Sequence, residues 1–136
     1  MIPGFGDTSY YLAILVPQDV NHGAADGLAR QFRRRVVTHE FILLEIGNFL
    51  SGSGSRAKFE PFVRSLRADR FTTILTASSD LLNRGVALYH DRLDKTWSLT
   101  DCISFEIMRE RGITDALTAD RHFEQAGFNI LLKSPQ

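Results

Sequence analysis

Short apolar or β-branched segments alternate along this chain with segments of helical periodicity. Five segments are predicted strands: Ile2–Gly6, Val36–Val37, Phe71–Leu75, Ala116–Thr118 and Asn129–Leu132. Helices are predicted between them, over Tyr10–Leu15, Ala24–Phe32, a segment capped by Thr38 that ends at Phe49, Phe59–Leu66, Leu81–Tyr89, and Ser98 to about Gly112. Such alternation predicts an α/β fold with a mostly parallel sheet. Pro3, Gly4 and Gly6 disfavour the first strand.

The length of 136 residues suits one compact domain, and we expect residues 1–136 to form it. The loop 51–55 is too short to link two domains. Lys plus Arg and Asp plus Glu balance at 16 each, so no bulk basic field indicates a DNA coat protein, although a local basic rim suffices for RNA. The single cysteine, Cys102, excludes an internal disulfide framework. No apolar run approaches the roughly 20 residues of a membrane span, so we expect a cytoplasmic protein.

Four acidic residues are expected to meet at one edge of the sheet. Asp7 follows the first strand and Asp120 follows the fourth, and the carboxyl ends of parallel strands share an edge. Asp101 lies at the third position of the helix that Ser98 begins, just before that fourth strand. Glu45 lies inside an apolar helical run, where an unpaired carboxylate is costly to bury. These acids are therefore candidates for a common site.

Carboxylates that converge in this way repel one another unless a cation lies between them. Hard oxygen ligands without a thiolate or histidine cluster favour Mg²⁺ or Mn²⁺ over Zn²⁺. Such ions usually keep bound water, which can attack a phosphodiester. The sequence therefore predicts a metal-dependent hydrolase.

Four motifs point to a known family. They are Asp7-Thr8, Thr38-x-x-x-Ile42-Leu43-x-Glu45, Asp94-Lys95-x-x-Ser98-Leu99-Thr100-Asp101, and Leu117-Thr118-x-Asp120-x-His122-Phe123 followed by Gly127-Phe128. With them, nearly the whole chain resembles PIN-domain ribonucleases, and among these the VapC toxins of bacterial toxin-antitoxin pairs. The chain departs from that pattern at Pro3 and Gly4, where an apolar strand is expected.

The resemblance implies a single-domain, three-layer α/β/α sandwich whose five strands have the order 3-2-1-4-5. It also implies Mg²⁺- or Mn²⁺-dependent cleavage of single-stranded or loop RNA, a homodimer, and a small antitoxin that inhibits the toxin subset. By that resemblance Asp7, Glu45, Asp101 and Asp120 are the catalytic and metal-binding acids. Asp94, Thr8, Ser98 and Thr118 are then outer groups that orient carboxylates or water.

Each of these residues also has a purely structural interpretation. Asp7, Asp101 and Asp120 suit helix caps or turns, and Glu45 can pair with an arginine such as Arg35. The histidines have no metal-binding spacing, so we interpret His122 as a packing or capping residue. Arg33, Arg34 and Arg35 end a helix, where cations are locally favoured; the alternatives are RNA phosphate contact, as for Lys95, or antitoxin docking.

Two other functions remain open at this point. One is a catalytically silent PIN-fold module that binds RNA or protein. The other is a phosphohydrolase that uses Asp7 as nucleophile, although no second acid follows two residues later to form a DxD pair.

Overall fold

The computed structural model describes residues 1–52 and 54–133; Ser53 of the 51–55 loop and the last three residues of the predicted domain lie outside the described part. The strands are β1 (Gly4–Gly6), β2 (Val36–His39), β3 (Thr72–Leu75), β4 (Asp115–Leu117) and β5 (Asn129–Ile130). The helices are α1 (Thr8–Leu15), α2 (His22–Gln31), α3 (Glu40–Phe49), α4 (Phe59–Ala68), α5 (Ser79–Asp91), α6 (Leu99–Arg111) and α7 (Arg121–Gln125), with a 3₁₀ turn at Arg56–Lys58.

The strands form one parallel sheet in the order β3-β2-β1-β4-β5, which confirms the predicted topology. From β1 the chain moves outward to β2 and β3, then crosses to β4 and β5 on the other side of β1. Because parallel crossovers are right-handed, this reversal places the later helices on the opposite face from the earlier ones. Accordingly, α1 packs against α2 and α3, whereas α5 packs against α6. The result is the expected three-layer α/β/α sandwich.

Strand β1 is shorter than predicted but is completely buried. It begins at Gly4, which pairs with Val36 of β2, whereas the predicted first residue Ile2 is exposed. Its central residue Phe5 has no exposed surface. The glycines that disfavour a strand have a packing role here. A Cβ atom at Gly6 would lie 2.3 Å from the Tyr11 hydroxyl oxygen, and one at Gly4 would lie 2.6 Å from the Phe32 ring. The two glycines therefore let α1 and the end of α2 pack directly on the first strand.

The predicted cap at Thr38 is wrong. Strand β2 continues two residues beyond the prediction, because Thr38 and His39 pair with Ile74 and Leu75 of β3. The Thr38 hydroxyl instead donates a 2.8 Å hydrogen bond to the carbonyl oxygen of Gly6. Helix α3 thus starts at Glu40, with His39 at the N-cap position. The short helix α7 was not predicted.

An aromatic cluster joins α6, α7 and the segment that precedes α6. The Phe105 ring packs edge-on against Trp97 and Phe123, with ring centroids 5.0 and 4.9 Å apart. The Trp97 indole nitrogen donates a 3.1 Å hydrogen bond to Gln125 of α7. These contacts fix the segment before α6 against α7. Within the described residues, every helix is too short or too polar for a membrane span.

Candidate metal and catalytic site

The four carboxylates predicted to converge lie in one cleft at the carboxyl edge of the sheet. The cleft has a volume of about 300 Å³. Its lining comprises Asp7, Thr8, Ser9, Leu12, Glu45, Thr96, Ser98, Asp101, Asp120 and His122. Three of the four predicted outer residues, Thr8, Ser98 and Thr118, are hydrogen-bonded to members of this set. The convergence is thus present, while the roles of these residues as metal ligands stay a prediction.

Asp7 is the most buried of the four acids, with 4% of its surface exposed. It occupies the N-cap position of α1, but its side chain makes no capping hydrogen bond. Its Oδ2 atom instead accepts a 2.7 Å hydrogen bond from the Thr118 hydroxyl. Burial, and secondarily the charges of Asp101 and Asp120, raises the pKa of Asp7 to about 7, against the opposing effect of the Thr118 hydrogen bond. A purely structural capping role does not account for this carboxylate.

Two hydroxyl groups connect Asp7 to the end of β4. The Ser9 and Thr118 hydroxyl oxygens lie 2.8 Å apart, and the Ser9 oxygen lies 3.3 Å from Asp7 Oδ2. The backbone N–H of Asp120 donates to the Thr118 hydroxyl at 3.1 Å, and that of Ala119 donates to Ser9 at 3.2 Å. The network therefore holds two of the acids in a fixed relation. Ser9 was not predicted, although its place two residues after Asp7 at a helix start was a usable signal.

Asp101 takes part in a capping box and also faces the cleft. Its backbone N–H donates to the Ser98 hydroxyl at 3.0 Å, while its Oδ2 atom accepts from the Ser98 N–H at 3.1 Å. Burial and the neighbouring charge of Asp120 raise the pKa of Asp101 above its ordinary value. Capping and site roles are therefore compatible in this residue.

Asp120 and His122 form a compact group with Asp101. One ligand atom from each of the three residues lies within 4.8 Å of the other two, a spacing suited to a metal ion. His122 Nδ1 lies 3.2 Å from Asp101 Oδ2 and 3.3 Å from Asp120 Oδ1. Asp120 also caps α7 by accepting a 2.8 Å hydrogen bond from the His122 backbone N–H. The interpretation of His122 as a packing or capping residue was thus incomplete, because its ring faces the acids.

Glu45 enters the cleft from α3 and accepts a hydrogen bond from the Thr8 hydroxyl. The Glu45–Arg35 pairing that the sequence left open is not present among the described residues. Glu40, the other acid of this helix, turns the opposite way and accepts a 2.7 Å hydrogen bond from the Ala77 backbone N–H. Glu45 is therefore the acid that α3 contributes to the site.

The acids retain atoms with which to bind a ligand. Among the hydrogen bonds of the described residues, Glu45, Asp101 and Asp120 each use a single carboxylate oxygen. Their second oxygens are available to a cation. Because the cluster carries several negative charges and only one partly exposed histidine, it suits a divalent cation better than an anion.

Asp94 does not extend the cluster in this structure. Its side chain is exposed and accepts two 3.0 Å hydrogen bonds from Arg92, which hold the pKa of Asp94 below its ordinary value. Lys95 directly precedes Thr96, which lines the cleft, and its ammonium nitrogen lies 5.9 Å from the centroid of the Trp97 ring. RNA contact by Lys95 stays a prediction, and Asp94 pairs with Arg92 instead of the acids.

The basic run Arg33, Arg34 and Arg35 lies far from the acids. It precedes β2, and residues that precede parallel strands lie at the amino edge of the sheet. Arg34 donates a 2.8 Å hydrogen bond to Asp115, the first residue of β4, and so marks that edge. Arg33 and Arg34 also line a separate cavity of about 520 Å³. RNA phosphate contact by this run stays a prediction, and its position puts any such contact at the edge of the sheet away from the acids.

Comparison with known proteins connects this geometry to a family. The model of the PIN domain family matches residues 5–129. Over 125 residues the chain is 28% identical to the 23S rRNA-specific endonuclease VapC20 of Mycobacterium tuberculosis strains CDC 1551 and H37Rv, covering 91% of this chain and 94% of that protein.

Solved structures give a similar result. The crystal structure of Mycobacterium tuberculosis VapC20, a sarcin-ricin loop cleaving toxin, superposes with a TM-score of 0.84 at 25% identity, covering 96% of this chain and 98% of that one. A toxin-antitoxin complex from Klebsiella pneumoniae superposes with a TM-score of 0.65 at 14% identity, covering 94% and 95% of the two chains. The second match is evidence for the fold alone.

Proposed function

Since the chain belongs to the PIN domain family, we propose that it is a metal-dependent endoribonuclease that hydrolyses phosphodiester bonds in single-stranded or loop RNA. The observation that carries this proposal is the convergence of Asp7, Glu45, Asp101 and Asp120 in one cleft. The similarity to VapC20, which is a 23S rRNA endonuclease, supports RNA as the substrate. We further propose that the chain is the toxin of a toxin-antitoxin pair and acts in the cytoplasm.

The residues of the cleft suit Mg²⁺ or Mn²⁺. Asp101, Asp120, Glu45 and Asp7 offer hard carboxylate oxygens, and the raised pKa of Asp7 indicates that its ionised form needs a positive neighbour. When bound, such an ion lowers the pKa of a water molecule and stabilises negative charge on the phosphoryl group. His122 adds one nitrogen, which Mn²⁺ tolerates better than Mg²⁺.

The protein groups orient the reaction. Thr118 and Ser9 hold the Asp7 carboxylate, Thr8 holds Glu45, and the Ser98 capping box holds Asp101. These hydrogen bonds fix the acids before substrate arrives, so little reorganisation is needed during the reaction. In the hydrolysis, water adds to phosphorus and the bond to the leaving ribose oxygen breaks. No covalent enzyme intermediate is required.

Purified chain is expected to cleave RNA in the presence of Mn²⁺ or Mg²⁺ and to lose this activity in excess EDTA. The substrates are a synthetic sarcin-ricin stem-loop and a control hairpin with a scrambled loop, and the cleavage ends are mapped by sequencing gel. If the stem-loop is still cleaved in excess EDTA, the proposed metal dependence is contradicted. RNA binding without cleavage under any divalent cation supports the silent binding module instead.

The use of Asp7 as a covalent nucleophile has no support in the geometry. Asp7 is buried, and hydroxyl groups of Thr118 and Ser9 occupy its Oδ2 atom. Its Oδ1 atom accepts none of these bonds, but no lysine or arginine side chain lies beside it to bind the phosphoryl group of such an intermediate among the residues that line the cleft. The phosphohydrolase alternative therefore has no observation in its favour.

We propose that the chain forms a homodimer through the outer face of α5. Leu82, Val86 and Tyr89 of α5, and Leu93 just after it, recur at helical spacing and are 37–78% exposed; the stripe they form lies beside Gly85, where α5 packs on Ile103 of α6. An exposed apolar stripe of this kind is typical of a protein interface.

Val86→Asp is expected to reduce the mass measured by light scattering from that of a dimer to the 15.3 kDa of one chain. The exposed loop variant Val20→Asp serves as control and is expected to stay dimeric.

The small antitoxin of this proposal is expected to bind at the amino edge of the sheet. The cavity that Arg33 and Arg34 line there is otherwise mostly apolar, with Tyr10, Phe32 and Phe62 among its residues. This mostly apolar lining favours the antitoxin-docking alternative for the basic run over RNA contact.

Expression of the chain alone is expected to arrest growth. The product of a short neighbouring reading frame is expected to co-purify with the chain and to relieve the arrest.

A further inference from the structure

Outside the cleft, one buried polar residue touches three of the elements that carry the acids. His39 has no exposed surface, and it joins the end of β2 to the start of α3, the helix of Glu45. Its ring packs against Phe5 of β1, two residues before Asp7, with centroids 5.8 Å apart. Its Nε2 atom lies 2.9 Å from the hydroxyl oxygen of Ser104, in the first turns of α6. The imidazole therefore lies where β1, α3 and α6 meet.

The hydrogen bonds around Ser104 define the direction of this contact. The Ser104 hydroxyl donates its only proton to the carbonyl oxygen of Thr100, at 3.0 Å. With its proton on that carbonyl, Ser104 accepts from His39, and we assign the imidazole proton to Nε2 on this basis. Thr100 directly precedes Asp101. The chain of two hydrogen bonds thus runs from the N-cap of α3 to the backbone beside the Asp101 site residue.

A packing role alone does not explain a histidine at this position. The Nδ1 atom of His39 is buried and has no hydrogen-bond partner among the described residues. Burial lowers the pKa of His39 to about 3, so the ring stays neutral. An unpaired buried acceptor is unfavourable, whereas an apolar ring between Phe5 and Phe41 would avoid this cost. Ser104 is already satisfied by Thr100 and does not need the imidazole for its own sake.

We propose that His39 is a positioning residue of the metal site, which holds α3 to α6 through Ser104 and thereby sets the separation between Glu45 and Asp101. The ligand concerned is a divalent cation. This inference rests on the metal site of the proposed function, but it concerns cation affinity and not RNA cleavage. Groups outside the ligand set that orient metal ligands commonly change affinity by 10–100-fold when removed.

The test compares wild type and variants in two measurements. Electron paramagnetic resonance of the free ion gives the Mn²⁺ affinity, and urea titration gives the free energy of unfolding. His39→Phe keeps a ring but loses the Nε2 donor, and it is expected to weaken Mn²⁺ binding by about 10-fold or more. Ser104→Ala, which removes the acceptor, is expected to have a similar effect, and the double variant is expected to add little. His39→Gln, whose amide nitrogen can replace Nε2, is expected to restore affinity to within about 3-fold of wild type.

Ile113→Val provides the matched control. Ile113 is a buried residue before β4, at the amino edge, and the substitution is expected to lower the urea midpoint of unfolding without changing Mn²⁺ affinity. Unchanged Mn²⁺ affinity in folded His39→Phe or in Ser104→Ala overturns the proposal, as does an equal loss in the Ile113 control. If His39→Phe does not fold, Ser104→Ala and His39→Gln decide the question. Wild-type protein that binds Mn²⁺ but cleaves no RNA contradicts the proposed nuclease and leaves this test intact.

Discussion

Asp7→Asn is expected to abolish RNA cleavage while leaving the chain folded. Asparagine has the size of aspartate and can still accept the hydrogen bond from Thr118, but it brings no negative charge to a cation. The rate is expected to fall on the order of 100-fold or more, the usual scale when one group that stabilises transition-state charge is lost. The initial rate of stem-loop cleavage at saturating Mn²⁺ measures this effect, and circular dichroism verifies the fold.

Asp26→Asn is the matched control, because Asp26 lies on the surface of α2, where it pairs with Arg30 of the same helix. It is expected to cleave at the wild-type rate. Asp101→Asn is expected to lose activity as well, but it also weakens the capping box of α6 and is therefore less clean. An Asp7→Asn variant that cleaves as fast as the Asp26 control would rule out Asp7 as a site residue.

The metal-free protein is expected to lose stability as the pH rises from about 4 to about 7. The folded chain keeps the Asp7 proton up to a pKa of about 7, whereas the unfolded chain releases it at the ordinary value of 3.8. Between these values the unfolded state binds fewer protons, so the free energy of unfolding decreases with rising pH. The contribution of Asp7 is complete below pH 3.8 and lost above about 7, and it amounts to about 4 kcal/mol.

Urea unfolding in EDTA at pH 5 and pH 8 measures this dependence in wild type and in Asp7→Asn. The asparagine variant carries no titrating group at position 7, so its stability relative to wild type is expected to increase by about 3 kcal/mol between the two pH values. Added Mn²⁺ is expected to raise stability at pH 8 more in wild type than in Asp7→Asn, because the cation favours the ionised carboxylate that only wild type has at position 7. Parallel pH profiles for the two proteins would show that Asp7 titrates normally.

Which acids meet could be predicted from the order of the chain. Asp7 and Asp120 directly follow parallel strands, so the topology alone places both at one edge. The same rule, applied to Arg33–Arg35 before β2, would have placed that basic run at the opposite edge. RNA phosphate contact by this run, one of the alternatives that its composition left open, stays a prediction, and its position puts such a contact at the edge away from the acids. The details of β1 were harder, because the packing of Gly4 and Gly6 against aromatic rings depends on neighbours distant in sequence.

The directions in which side chains point could not be predicted from the sequence. Ser9 and His122 lie next to predicted site residues, yet only the tertiary structure shows that their side chains turn toward the acids. Asp94 lies in a recognisable motif, but Arg92, two residues earlier, holds it away. Threonine often caps helices, but Thr38 pairs with β3 and so belongs to strand β2 instead. Local preference was overridden in each case by a partner from another element or a neighbouring side chain.

The contacts of Trp97 make its fluorescence a probe of ligand binding in the cleft. It is the only tryptophan, and it lies one residue before the cap of α6 while its indole N–H binds Gln125 of α7. Asp101 and Asp120 are carried by these same two helices. Any ligand that draws the two acids together changes the polarity and quenching around one indole ring. When tryptophan is excited selectively, fluorescence of unlabelled protein can therefore follow occupancy of the cleft, and no second tryptophan contributes to the signal.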